Sequence, residues 1–229
     1  MRYFIYCAVA LTVCSSMSLA SAQDKVVVIP LNTSTSIPVG IPTVTSAGQV
    51  WMDRNLGALR VATKIDDSDA YGTLWQWGRS GDGHEYRSSS TTTVLSSSYS
   101  VGHGSFILNS SFPYNWMNSL NNTLWQGESG INNPCPEGFR LPTEAEWKVE
   151  LPSWSSQSAA GAFASPLKLV LAGDRSVSNG VLWDTASIGM YWSSTVNENF
   201  IRVLFFSSWS AGIGNYYRGR GFSVRCIKD

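Results

Sequence analysis

The chain has 229 residues, with 43% hydrophobic and 14% charged side chains and a formal net charge of zero at pH 7. This balance gives no reason to expect nucleic acid or an anionic membrane as a partner. The length suits one substantial hydrophobic core, and ten tryptophans indicate an aromatic-rich globular domain.

Residues 1–22 are typical of a secretory signal peptide. Arg2 is a minimal positive start, Tyr3–Val13 is apolar but too short to span a bilayer, and an Ala-Ser-Ala cleavage motif ends at Ala22. A bulky valine precedes Cys14 where a lipobox has a small residue, so cleavage after Ala22 is expected rather than a lipid anchor. The sequence therefore predicts a secreted or cell-surface protein without a transmembrane segment.

The exported chain is expected to have two parts. Residues 23–45 predict a lead that begins with a short strand at 25–30 and continues as a Thr/Ser/Pro/Gly-rich connector. Residues 46–229 then form the domain proper. Within the domain, Ser88–Ser100 is almost all serine and threonine, which cannot bury apolar surface, so we expect a mobile excursion there.

One helix is clearly marked. Thr143 is a good N-cap, and Glu146 three residues later completes a capping box. Pro152 blocks continuation and ends the helix. A second helical turn is predicted at Gln157–Phe163, and the apolar run Leu167–Leu171 predicts a strand.

The C-terminal part has a β pattern. Ile201, Val203 and Phe205 alternate with their neighbours as in a strand, Ser207–Asn215 is rich in Ser, Gly and Asn and predicts a turn, and Gly221–Ile227 predicts the last strand. Strands with few helices favour an α+β fold, with a small antiparallel sheet, one or two short helices and long loops.

The cysteines indicate one crosslink. Cys7 and Cys14 leave with the predicted signal peptide, and Cys135 and Cys226 remain. A lone pair of thiols in an exported protein most simply forms a disulfide. This bridge would close a loop of about 91 residues and stabilise the domain by roughly 4–5 kcal/mol in the chain-entropy model.

Seven short motifs follow one another along the domain. They are Val50–Ala58 (VWMDRNLGA), Trp75–Arg79 (WQWGR), Asp82–Glu85 (DGHE), Asn133–Phe139 (NPCPEGF), Arg140–Trp147 (RLPTEAEW), Tyr191–Thr195 (YWSST) and Gly221–Cys226 (GFSVRC). The fifth motif is similar to one of the formylglycine-generating (sulfatase-modifying factor) family. The ordered set resembles the bacterial major paralogous domain (FISUMP) family more closely. This resemblance implies a C-type-lectin-like domain of exported bacterial surface proteins, with no settled catalytic activity.

The last third also resembles the variable proteins of diversity-generating retroelements. These proteins share the fold and diversify residues between a start and an end like the sixth and seventh motifs. The corresponding window here is Val196–Arg218, and we expect its aromatic and polar side chains to form one exposed recognition face. The candidate binding residues are Asn197, Asn199, Trp209, Asn215, Tyr216, Tyr217 and Arg218.

We do not expect an enzyme. Formylglycine-generating enzymes need reactive thiols in a cleft, whereas both thiols here occupy disulfide-like positions. The group around His84 in Asp82–Glu85 could offer metal ligands, but a glycine turn favours a structural loop, and the acidic run Asp66–Asp69 lacks the order of an EF-hand. Trp183–Thr185 only faintly resembles the sugar-binding strand of calcium-dependent lectins. The sequence predicts no cofactor and no metal site.

The tryptophans and arginines divide by position. Trp209 lies in a polar stretch and could stack on a sugar or anchor a protein contact. Arg225 is expected to make a structural hydrogen-bonded pair, whereas Arg218 and Arg220 are candidates for an exposed binding rim. The tryptophans expected in the core are Trp51, Trp75, Trp77, Trp147 and Trp192.

The leading hypothesis is a secreted or cell-surface module that binds a protein or a glycan through residues 196–218. A variable protein of a diversity-generating retroelement and a structural surface component are the alternatives. A third alternative is an enzyme of uncharacterised mechanism, which would need a cleft that joins at least two candidate residues near a perturbed carboxylate. The candidates are Asp53, Asp82, His84 and Glu85.

Overall fold

The computed structural model of the chain describes residues 40–229, so the predicted signal peptide and the strand predicted at 25–30 lie outside the described residues. Every helix in the described part falls short of the length and apolarity needed to cross a membrane. The α-helices are α1 (Glu144–Glu150) and α2 (Ala159–Ala164), and short 3-10 turns lie at Ser68–Ala70 and Leu151–Ser153. The strands are β1 (Thr43–Ser46), β2 (Gln49–Met52), β3 (Trp75–Gln76), β4 (Thr91–Thr92), β5 (Phe106–Ile107), β6 (Phe139–Arg140), β7 (Asp174–Arg175), β8 (Leu182–Trp183), β9 (Ile188–Asn197), β10 (Phe200–Ser207), β11 (Ala211–Tyr217), β12 (Gly221–Phe222) and β13 (Ile227–Lys228).

Small antiparallel sheets form the framework. One sheet has the order β1-β2-β13-β6, so the last strand of the chain lies beside one of the first. The second, β11-β10-β9, is a meander of the three longest strands, and the third has the order β3-β12-β7-β8. Strands β4 and β5 form a separate parallel pair. These small sheets with few short helices agree with the predicted α+β class.

Tryptophans occupy the centre of the hydrophobic core. All five tryptophans predicted to be core residues are buried. Two of these indole groups also donate buried hydrogen bonds to backbone carbonyls: Trp77 Nε1 to Ser193 O (3.0 Å) and Trp192 Nε1 to Trp75 O (2.6 Å). The rings thereby tie strands β3 and β9 together.

Helix α1 begins as predicted. The Thr143 hydroxyl accepts a hydrogen bond from Glu146 N (3.2 Å), and Glu146 Oε2 accepts one from Thr143 N (2.6 Å), which confirms the capping box. Arg140 donates to both Glu146 carboxylate oxygens at 2.9 and 2.7 Å. The helix ends at Glu150, and Pro152 lies in the 3-10 turn that follows. Helix α2 overlaps the second predicted helical turn.

The segment Leu167–Leu171 is not a strand, and that prediction was wrong. Its apolar side chains are buried, but Lys168 has a positive φ of 49°, which breaks the extended backbone. The Tyr191 hydroxyl accepts from Val170 N (3.0 Å) and donates to Val170 O (3.2 Å). At Val170 a side chain therefore supplies the hydrogen bonds that a neighbouring strand would have supplied, while Leu171 N donates to Ile65 O (3.0 Å).

The segment Ser88–Ser100 differs from the expected mobile excursion because it makes backbone hydrogen bonds to the rest of the fold. It contains β4, and Ser90 O accepts from Phe106 N at 2.8 Å. Farther along, Ser96 N donates to Trp116 O at 3.1 Å. Backbone pairing holds the segment without requiring its side chains to be apolar.

The C-terminal strands also differ from prediction. Strand β11 begins at Ala211, inside the stretch that was predicted to be a turn, and it pairs with β10 from Phe206↔Ala211 to Phe200↔Tyr217. The last predicted strand is interrupted, because only its two ends form β12 and β13. Pairing across the sheet outweighs the poor strand propensity of Gly212 in β11.

The predicted disulfide between Cys135 and Cys226 is present. Next to it, the buried Arg225 donates to Asn55 Oδ1 (2.9 Å) and Leu167 O (2.7 Å), as expected for a structural residue. Burial lowers the pKa of Arg225 to about 10. The last segment of the chain is thus joined to three other segments, at Cys135 by the disulfide and at Asn55 and Leu167 by hydrogen bonds.

Candidate functional site

One face of the β9-β10-β11 sheet carries a groove. In the register of the sheet, Met190 of β9 and Gly212 of β11 flank Phe205 of β10. A Cβ atom at Gly212 would lie 3.2 Å from the Phe205 ring, and one at Gly214 would lie 2.9 Å from the Tyr216 ring. The two glycines therefore leave the aromatic floor of the groove open.

Two adjoining cavities form what we call the hairpin groove. Their volumes are about 430 and about 390 Å³, and both are lined by Asp184, Ile188 and Ser207. Such volumes are typical of sites for small ligands or ligand groups. The first cavity is also lined by Asp174, Trp183, Met190, Phe205, Ser210, Tyr216 and Arg220, and the second by Leu171, Ala186, Ser187, Ser208 and Trp209.

The first cavity has a charged end. Asp174 is 1% exposed, and its Oδ2 accepts two hydrogen bonds from the Arg220 guanidinium, one of them from Nε at 3.1 Å. Burial raises the pKa of Asp174; the ion pair with Arg220 offsets part of this rise, and the negative charge of Asp184 adds to it. A carboxyl group with a raised pKa in a cavity is a frequent property of binding and catalytic sites.

Exposed indole rings lie along the groove. Trp183 on β8 is 47% exposed and is the direct cross-strand partner of Asp174 on β7. Trp209, in the turn between β10 and β11, is 87% exposed. Tyr216 stands on the floor with its ring edge-on to Phe222, the centroids 5.3 Å apart. Each cavity therefore has one exposed tryptophan in its wall.

Only part of the predicted recognition face lies in this groove. Trp209 and Tyr216 line it, and Trp209 has the exposure expected from the sequence. Asn215 is on the opposite face of the sheet, where its Oδ1 accepts from Asn197 Nδ2 (3.1 Å) and from Arg202 (2.8 Å). Alternate residues of a strand point to opposite faces, so these two asparagines form a separate polar patch.

Tyr217 belongs to a different aromatic cluster. Its ring centroid lies 4.5 Å from that of Tyr114, 5.1 Å from that of Phe200 and 6.3 Å from that of Phe112. Asn199 is half-buried in the turn between β9 and β10. The expectation of one continuous face was therefore wrong, because consecutive strand residues cannot share a face.

Arg218 is not an exposed rim residue. It is 2% exposed, and its guanidinium lies 4.9 Å from the centroid of the Trp77 ring. It donates to Asn121 O (2.8 Å) and Asn122 Oδ1 (2.6 Å), so it holds that loop against the core. Burial lowers the pKa of Arg218 to about 10. Arg220, the other expected rim residue, is half-buried in the groove through its pair with Asp174.

The residues named for the enzyme hypothesis lie outside the groove lining. Asp82, His84 and Glu85 offer ligand atoms within 4.8 Å of one another. However, His84 Nδ1 is 2.7 Å from Asp82 Oδ1, and His84 Nε2 accepts from Gln76 N at 3.2 Å. Burial lowers the pKa of His84, and both ring nitrogens already have partners, as in a structural loop. Asp53 pairs with Arg54 at 2.7 Å.

Sequence reasoning missed Asp174, Trp183 and Asp184 as site residues. They lie outside the window 196–218, and the pairing of β7 with β8 brings Asp174 beside Trp183. The available signal was the adjacent Trp183-Asp184 pair, which was compared only with calcium-dependent lectins.

No family model, curated protein or solved structure matches this chain.

Proposed function

We propose that the protein is a secreted or cell-surface ligand-binding module with a C-type-lectin-like domain, and that the hairpin groove is its binding surface. The groove itself carries the proposal: two adjoining cavities of about 430 and about 390 Å³ lie along one sheet face, beside an 87% exposed tryptophan. Aromatic residues next to a pocket are the usual anchors of binding surfaces.

A rigid backbone beneath the groove supports this proposal. Strand β10 pairs with a strand on each side, and the cross-strand pair Trp192 and Val203 is fully buried under the same face. The disulfide fixes the end of the chain that follows the hairpin. Because this frame is ordered before a ligand arrives, binding costs less conformational entropy.

The groove suits either a glycan or a protein ligand. Exposed indole rings stack on sugars and also pack against protein side chains, and Ser207 and Ser210 offer hydroxyl groups that donate or accept hydrogen bonds. The predicted signal peptide and the disulfide both favour a place outside the cytoplasm, where such ligands are met.

The placement of the window supports a variable retroelement protein as a second candidate. Four residues of the window, Phe205, Ser207, Ser210 and Tyr216, line the first cavity. Changes at these positions would alter ligand contacts on an unchanged frame. Sequencing the DNA around the gene tests this candidate: a reverse transcriptase and a near-copy of the codons for 190–225 would support it, and their absence would exclude it.

Blocking the groove tests the proposed function. The ligand is first captured on a glycan array or by pull-down from cell surfaces with the secreted protein. Ser210→Trp places a large ring at the first cavity, whereas Ser97→Trp places the same ring at an exposed serine outside the lining. We expect Ser210→Trp alone to weaken binding by about tenfold or more. Equal binding by both variants would refute the proposal.

A further inference from the structure

The first cavity of the hairpin groove has a net negative charge. Its charged lining residues are Asp174, Asp184 and Arg220, so two carboxylates and one guanidinium line it. Both hydrogen bonds from Arg220 go to Oδ2 of Asp174, which leaves Oδ1 outside this ion pair. The positive charge of Arg220 is thus already matched by Asp174, and the charge of Asp184 remains to attract a cation.

The same cavity has an aromatic and apolar lining. Trp183, Tyr216 and Phe205 supply rings, and Ile188 and Met190 complete the apolar part. The face of an aromatic ring is electronegative and attracts cations, most strongly where the cation leaves water. Rings together with uncompensated negative charge therefore select for a cationic ligand over an anionic one.

We infer that this cavity binds a methylated ammonium group of the kind carried by choline, held by the rings of Trp183 and Tyr216 and by the charge of Asp184. The inference rests on the proposed function, because it names the chemical group that the ligand places in the groove. A primary ammonium has three hydrogen-bond donors, and Phe205, Ile188 and Met190 in the lining offer them no acceptor. Methyl groups instead pack against the rings and against Ile188 and Met190.

The sharpest test separates charge from shape. Choline is compared with 3,3-dimethylbutan-1-ol, which has the same shape without the charge, by calorimetric titration of the whole secreted protein. We expect choline to bind about tenfold more tightly. Equal binding of the two, or tighter binding of the neutral alcohol, overturns the inference. Tighter binding of ethanolamine than of choline overturns the assignment to a methylated group.

Variants locate the group in the cavity. Asp184→Asn and Trp183→Ala change exposed side chains, so folding is retained, and each should weaken choline binding about fivefold or more. Glu137→Gln is the matched control, because it removes an exposed carboxylate outside the lining. An effect of Glu137→Gln as large as that of Asp184→Asn would show a general charge effect and contradict the site.

Two further results separate this inference from the proposed function. If choline fails to bind while Ser210→Trp still weakens the captured ligand, the inference is wrong and the proposed function stands. If Ser210→Trp leaves the captured ligand unaffected, the proposed function is wrong. A peptide with trimethyllysine in the same titration distinguishes the carrier: tighter binding of choline assigns a choline-type ligand, and tighter binding of the peptide assigns a methylated protein.

Discussion

The indole rings of Trp51 and Trp147 stack with their centroids 4.9 Å apart, which joins strand β2 to helix α1 in the core. Trp147 is fully buried, and its Nε1 donates to Trp192 O at 3.2 Å. Trp147→Ala would leave a cavity and an unpaired carbonyl, so we expect a loss of about 3–5 kcal/mol in the free energy of unfolding. Denaturant titration measures this loss, and a value below about 1 kcal/mol would contradict the packing.

The disulfide should contribute strongly to stability. Cys135 and Cys226 are 91 residues apart in sequence, so the bridge restricts a long loop in the unfolded chain. Cys135→Ser or Cys226→Ser should each cost about 2–5 kcal/mol. Mass spectrometry of the unreduced protein should find the two peptides joined. Free thiols at both positions would exclude the crosslink.

The cap of α1 should tolerate the loss of Thr143 better than the loss of Glu146. Thr143→Ala removes the acceptor for a first-turn amide and should cost about 1 kcal/mol. Glu146→Ala should cost more, since the carboxylate accepts from Thr143 N and twice from Arg140. Val149→Ala on the exposed side of the same helix is the control. Thermal unfolding with the opposite ranking would show that Arg140 contributes nothing to the cap.

Glu146 should also make stability depend on acid. Burial alone would raise its pKa, but hydrogen bonds from Arg140 and Thr143 hold the pKa below the ordinary value of 4.5. When the pH falls below 4.5, the ordinary pKa of a glutamate, Glu146 takes up a proton in the unfolded state before it does so in the folded state. The stabilisation by its charge is therefore complete above pH 4.5 and is lost as the pH falls through the lowered pKa. Urea unfolding should show a smaller loss between neutral and acid pH for Glu146→Gln than for the natural protein. Identical losses would refute the assignment.

Local patterns were enough to predict the features that depend on few residues. The cap at Thr143 follows from residues three apart, and the Cys135–Cys226 pairing follows from there being two thiols outside the predicted signal peptide. The core tryptophans followed from their motifs. In each case the feature depends on a few residues: two that are close in sequence, two cysteines with no other partner outside the predicted signal peptide, or one large apolar side chain within a motif.

The hairpin groove depends on pairings that the sequence does not display. Glycines and serines in residues 207–215 have low strand propensity, so β11 forms only because β10 offers its free edge. Arginine is a residue type usually found at the surface, yet the loop at Asn121 and Asn122 covers Arg218. Asp174 meets Trp183 through the pairing of β7 and β8, across a turn that contains Asn179-Gly180; this dipeptide signals a turn but not which residues pair across it. Pairings between segments, and not single motifs, decide all three.

The most direct test of the account is the affinity of the captured ligand for Trp209→Ala and Trp183→Ala, with Tyr86→Ala as an exposed aromatic control outside the groove. We predict that Trp209→Ala and Trp183→Ala each lose about 2 kcal/mol or more of binding free energy, as aromatic anchors do. Trp209→Ala and Tyr86→Ala should unfold within about 0.5 kcal/mol of the natural protein because their rings are mostly exposed, and Trp183→Ala, whose ring is 47% exposed, should lose more stability but still fold. Unchanged binding by Trp209→Ala and Trp183→Ala, or unfolding of Trp209→Ala as severe as that of Trp147→Ala, would contradict the groove as a binding surface.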